Sequence, residues 1–134
     1  MNSPATDLLE RFETLKIAPA DFSHSDHLQV AYAMLEKYEF VDACTRYAAT
    51  IKAMAESVGA LDKYNATITI AFMSVIAERK ASSDEANLQA FLTSNPDLQD
   101  RNILMSWYSK ERLTSDLARK QFLLPDNFHG GIHV

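Results

Sequence analysis

The stretch DKYNATITIAFMSVIAERK, residues 62–80, decides the fold. Its apolar residues Tyr64, Ile68, Ile70, Ala71, Phe72, Met73, Val75, Ile76 and Ala77 cover most of a helical circumference. A helix that is apolar nearly all round packs against other helices on most of its sides. The pattern therefore predicts a central, mostly buried helix near residues 62–80. Asn65, Thr67, Thr69 and Ser74 then need hydrogen-bond partners inside the protein.

Outward from this helix, the flanking segments read as shorter amphipathic helices. On the N-terminal side, Phe40, Cys44, Tyr47, Ile51, Met54 and Val58 form one stripe of a helix over 40–58, with Gly59 as its C-cap. Before it, Leu28, Ala31, Tyr32 and Leu35 share one side of a helix over 25–38, and Asp26, Gln29, Ala33 and Lys37 the other. Residues 17–23, with Pro19, read as a turn. Ser3-Pro4 reads as a cap and first position for a helix carrying Leu8, Leu9, Phe12 and Leu15.

On the C-terminal side, Ser82 and Glu85 have the spacing of a capping box opening a short helix with Leu88, Phe91 and Leu92. Asn95-Pro96 suggests the start of a helix containing Leu98, Ile103, Leu104, Trp107 and Tyr108. A last short helix is expected over 115–122, followed by an irregular tail over 128–134. No strand-like alternation or internal repeat interrupts this order. The expected fold is a single all-α domain over residues 1–134, a compact bundle of five to seven helices, with 1–5 and 128–134 as terminal segments.

Composition narrows the function classes. The 134 residues include 47% apolar and 23% charged side chains, a globular balance far from a disordered one. The formal net charge is −5 and no dense Lys/Arg cluster occurs, which argues against a nucleic-acid partner and against anionic membranes. The longest apolar run is about half a bilayer span. The first residues carry Asp7 and Glu10 and lack the apolar core of a signal peptide. With Cys44 as the single cysteine, these features lead to an expected cytoplasmic location. Cys44 itself lies on an apolar stripe and reads as a small core residue. Phosphate-loop, zinc-protease, nucleophile-elbow and dinucleotide-binding motifs are absent.

The best candidates for chemistry are His24 and His27. With the helix starting near Ser23, both project toward the Leu28–Ala31–Leu35 side, and residues three apart can approach one ligand together. Such a pair can act as acid/base and orienting group, or supply two metal ligands. A metal would need a third ligand, for which Glu78, His129 and His133 are the available groups. The competing reading is a pair of structural histidines bonded to neighbours at a helix start. A second cluster, Lys63-Tyr64-Asn65-Ala66-Thr67-Ile68-Thr69, opens the central helix, where free amides, the helix dipole and Lys63 favour an anion. Its competing reading is N-capping and inter-helix bonding. In a third cluster, Trp107 and Tyr108 could wall a pocket and Arg112 hold a carboxylate or phosphate. Core packing and a surface ion pair are the simpler roles there.

Three stretches together resemble a family of small, largely uncharacterised bacterial all-helical proteins. They are F-S-H-S-D-H-L over 22–28, K-Y-N-A-T-I-T over 63–69, and Y-S-K-E-R-L over 108–113 continuing to Pro125 and Asp126. The resemblance spans roughly residues 20–127. It implies an all-α fold and a site shared by the first two motifs, with no reaction attached. Many similar proteins carry histidine at the position of Asn65, which would make a three-histidine set with His24 and His27. Asparagine is a poor ligand for zinc or iron, so the departure weakens the metal reading.

The resulting expectation is a pocket lined by His24, His27, Tyr64, Asn65 and Thr67, with Trp107 and Arg112 as weaker members. His24 or His27 would serve as acid/base or orienting group for a small-molecule ligand, with the cofactor unknown and no metal assigned. The rival expectation is an interaction or scaffold protein acting through a homodimer or partner surface.

Overall fold

A computed structural model of the chain describes residues 4–127, with side chains from residue 7 onward. Seven α-helices occur among the described residues: α1 (Pro4–Glu13), α2 (His24–Lys37), α3 (Phe40–Ser57), α4 (Ala66–Ala81), α5 (Leu88–Ser94), α6 (Lys110–Leu113) and α7 (Asp116–Lys120). Short 3-10 turns at Pro19–Asp21, Leu61–Lys63, Pro96–Gln99 and Ile103–Ser106 join them, and none of the described residues forms a strand. No helix among them is long and apolar enough to cross a membrane.

Local chemistry sets where each helix starts. Ser23 caps α2: its Oγ accepts from the Asp26 N–H at 3.1 Å, and the Asp26 carboxylate accepts from the Ser23 N–H at 3.0 Å. This reciprocal capping box fixes the phase of α2 and puts His24 and His27 in its first turn. At the far end of α3, Gly59 sits at φ +67°, a left-handed conformation that glycine adopts without a Cβ penalty. Asn65 caps α4 through its Oδ1, which accepts from the Ile68 N–H at 2.9 Å.

The core is built mainly where α2 and α4 pack with α3, α1 and α7. Leu28, Val30, Ala31 and Met34 of α2 are at most 1% exposed, so α2 shares the centre of the bundle with α4. In α4, Thr67, Thr69, Ala71, Phe72, Met73 and Ile76 are buried, whereas Ile68 is 40% exposed. The two buried threonines do find internal partners. Thr69 donates to the Asn65 carbonyl at 2.7 Å. Thr67 donates to the Gln121 carbonyl at 2.7 Å and accepts from the Leu123 N–H at 3.0 Å.

Several expected boundaries differ. The central helix begins at Ala66, not residue 62, because Lys63 closes a 3-10 turn, Tyr64 is extended and Asn65 is the cap. Ser82 terminates α4 instead of opening the next helix, which is capped by Asn87 through the Ala90 N–H. The single helix expected after Pro96 is two 3-10 turns. Asp100 accepts from the Asn102 N–H at 2.9 Å between them, a local turn that competes with helix continuation. The last expected helix appears as α7, capped by Ser115, and a further short helix not expected from the sequence, α6, precedes it with Ser109 as its cap. Pro4 stands at the first position of α1, where the sequence reading placed it. The Ser3 cap and the tail over 128–134, with His129 and His133, lie outside the described residues.

Candidate functional site

His24 and His27 converge with the start of α4 on one cavity of about 270 Å³. Its polar lining comes from His24, His27, Tyr47, Tyr64, Asn65 and Thr69, and Lys63 and Arg101 are its two cationic members. Ile51, Ile68, Phe72, Ile103 and Leu104 supply the apolar wall. Elements far apart in the chain meet here: the first turn of α2, the middle of α3, the start of α4 and the segment 101–104.

Each histidine is anchored by one ring nitrogen. His24 Nε2 lies 2.8 Å from the Leu98 carbonyl, which can only accept, so this nitrogen carries the proton. His27 Nδ1 lies 2.8 Å from the Tyr47 hydroxyl. The remaining nitrogens, Nδ1 of His24 and Nε2 of His27, have no partner among the described residues. No buried side-chain nitrogen or oxygen there lacks a partner, so both atoms reach accessible space. The rings also pack on aromatics, with His27 4.2 Å from the Phe22 ring centroid and His24 5.9 Å from that of Phe72.

Electrostatics make His27 a neutral imidazole. Burial is the main cause, reinforced by His24 and Arg101 and opposed by Asp26, and its pKa falls from 6.5 to about 4. The Tyr47 hydroxyl is held protonated by the same burial. The hydroxyl can donate to Nδ1, leaving a proton on Nε2, or accept from Nδ1–H, leaving Nε2 basic. In either tautomer the atom offered outward is Nε2.

A second, largely apolar cavity of about 420 Å³ adjoins the first. The two share His27, Ile51, Lys63 and Tyr64, and the second continues over Phe22, Met54, Ala55 and Val58. Neither cavity has a carboxylate in its lining.

Of the residues expected to form the pocket, His24, His27, Tyr64 and Asn65 are brought together and three are not. Thr67 is fully buried and clamps the 121–123 backbone, on the other side of α4 from the histidines. Trp107 lines a separate cavity of about 320 Å³ with Ala71, Ser74, Val75 and Phe122, divided from the histidine cavity by Leu104. Arg112 lines neither cavity, and its Nε donates to the Leu124 carbonyl at 2.7 Å. Asn65 spends both ends of its amide on structure, Oδ1 on the α4 cap and Nδ2 on the Leu113 carbonyl at 2.7 Å. Among the described residues, no group of three His, Cys, Asp or Glu side chains is placed to hold a metal ion. Cys44 is buried, and burial raises its thiol pKa, which suits a core role.

Sequence reasoning missed Tyr47 and Arg101, whereas Thr69 belongs to the cluster it placed at the start of the central helix. Tyr47 lay on an apolar stripe that looked like plain core, and its hydroxyl partner is twenty residues away. Arg101 fell inside the helix expected after Pro96, on no apolar stripe, and it lies in the turn between the two 3-10 segments that replace that helix. Comparisons with protein-family models, with curated proteins and with solved structures each gave no match.

Proposed function

We propose that this protein binds a small organic molecule in the cavity between α2, α3 and α4, with His27 as its acid/base or orienting group. The observation that carries this reading is the state of His27. It is a neutral imidazole, braced through Nδ1 by Tyr47, with Nε2 reaching accessible space and the residue lining a cavity with mixed polar and apolar walls. A braced ring with one free nitrogen is the arrangement by which histidine exchanges a proton with, or hydrogen-bonds, a ligand. A histidine sealed in the core would need both nitrogens committed within the protein. The motif resemblance, which pairs the His24–His27 segment with the start of α4, also supports this reading. At about 270 Å³ the cavity suits a molecule smaller than typical drug-sized ligands.

The test is a fragment screen read on the histidine ring resonances of the protein in solution. Binding here moves the His24 and His27 signals, and Ile51→Trp, which fills the cavity, abolishes the shifts. A broad fragment set that leaves both rings unmoved would sink the reading.

A second reading rests on a different face. Phe122, in the lining of the Trp107 cavity, is 42% exposed, and Leu117 and Leu124 are exposed as well. An exposed large apolar side chain at the edge of a recess favours a partner or a second copy of the chain. Analytical ultracentrifugation of the wild type and of Phe122→Glu tests this. A monomer at high concentration in both removes the homodimer form of the reading.

A further inference from the structure

Charge and shape around the histidine cavity carry the argument one step further, to the class of ligand; this step rests on the binding reading above. The chain has 18 acidic and 13 basic residues, yet the two adjoining cavities are lined by Lys63 and Arg101 and by no carboxylate. Neither cation makes a salt bridge among the described residues, in contrast to Lys37, Arg46, Arg79, Lys80 and Arg119. A third cation, Lys52, lies 5.9 Å over the outer ring face of Tyr64, and it too is without a salt bridge there. In an acidic protein, unneutralised cations gathered at one recess mark a place where a negative group is welcome. The histidine cavity also faces the first turn of α4, whose dipole adds to the same sign.

The neighbouring cavity complements this charge with an apolar shape. It extends from the His27–Lys63–Tyr64 partition along Phe22, Ile51, Met54, Ala55 and Val58, with no polar side chain beyond the partition. A cationic recess for an anionic head and an apolar surface are thus offered side by side, with Lys63 belonging to both. We infer that the ligand is an amphiphilic carboxylic acid. Its carboxylate sits between Lys63 and Arg101 near His27 Nε2, and its hydrocarbon part lies in the Phe22–Met54–Val58 recess.

The test titrates the full chain with straight-chain carboxylates from four to ten carbons, and with alcohols and amines of the same lengths. Binding is measured by calorimetry and by the histidine ring resonances. The acids should bind at least tenfold tighter than the matched alcohols. They should gain about two- to fourfold per methylene until the recess is full, the worth of burying a CH₂ group. Lys63→Met combined with Arg101→Met should erase the acid preference while leaving alcohol binding in place; both sites are exposed, and thermal melts verify that the fold is kept. Ala55→Trp should remove the gain from longer chains and spare the short acids. Alcohols or amines that move the His27 signals as strongly as the acids do would overturn the carboxylate assignment and leave the binding reading standing. Absence of any acid binding overturns the assignment as well, and the broader fragment screen then decides the binding reading by itself.

Discussion

The Tyr47 hydroxyl lies 2.8 Å from Nδ1 of His27, and this one bond joins the first turn of α2 to the middle of α3. Tyr47 is 2% exposed and has no other side-chain hydrogen bond among the described residues, so the tyrosine acts as a brace for the histidine. Tyr47→Phe keeps the ring packing and strips the hydroxyl. Leaving a part-buried nitrogen without its partner should cost about 1–3 kcal/mol, read from urea denaturation midpoints. The same variant should change the tautomer balance of His27 in nitrogen chemical shifts. An unchanged tautomer would show that the brace does not orient the ring.

Acid should destabilise the fold through His27. Its folded-state pKa of about 4 lies below the ordinary 6.5, so between these values the unfolded chain binds the proton and the folded chain resists it. Stability is therefore intact above about pH 6.5 and falls as the pH drops toward 4, by up to about 3 kcal/mol. His27→Gln should flatten this part of the stability profile, measured by denaturant melts at half-unit pH steps. A wild-type profile that is level from pH 7 to 4 contradicts the assignment.

Thr67 holds the C-terminal segment. Its hydroxyl serves the Gln121 carbonyl and the Leu123 N–H at once, in a site with no exposure. Thr67→Val keeps the shape and abandons both partners, which should cost about 2–4 kcal/mol. Hydrogen exchange should show the Leu123 amide losing protection first. Thr67→Ser should recover most of the loss, because the hydroxyl returns without the methyl.

Arg112 should behave as a structural residue and not as a ligand contact. Its Nε donates to the Leu124 carbonyl, and beside it Ser109 bonds Asp126 through both its N–H and its hydroxyl at 2.7 Å. Arg112→Ala should lower the melting temperature by a few degrees, as a loss of about 1 kcal/mol does in a chain of this size. It should leave carboxylate titrations of the histidine cavity unmoved. A selective loss of binding with unchanged melting would reverse this assignment.

Gly59 offers a backbone test. No atom lies within 4 Å of where a Cβ would stand, so Gly59→Ala meets no steric obstacle, and only φ +67° opposes it. Thermal melts should show a loss of about 1 kcal/mol from the left-handed conformation. Gly59→Asn should cost less, since asparagine tolerates that region better.

Much of the helical fold could be read directly. The α3 stripe through Cys44, Tyr47 and Met54, with Gly59 beyond it, appears within one residue of its expected end. The inward phase of His24 and His27 follows from 100° per residue once Ser23 caps the helix. The region after Pro96 was less legible. Asp100 and Asn102 can satisfy backbone groups locally, and such residues leave the choice between helix and turn to the surrounding packing.

By itself the sequence determined the all-helical architecture, the burial of the α4 segment and the inward turn of the histidine pair. These follow from periodicity and capping, which act over three or four residues. Only the tertiary structure decided which polar residues meet. It set Tyr47 behind His27, brought Lys63 and Arg101 to the same recess, and turned Thr67, Trp107 and Arg112 away from it. The physical reason is range. A helix sets the direction of its own side chains, but the groups facing them across a cavity come from segments 20 to 74 residues away, as the His27–Tyr47 and His24–Leu98 bonds show.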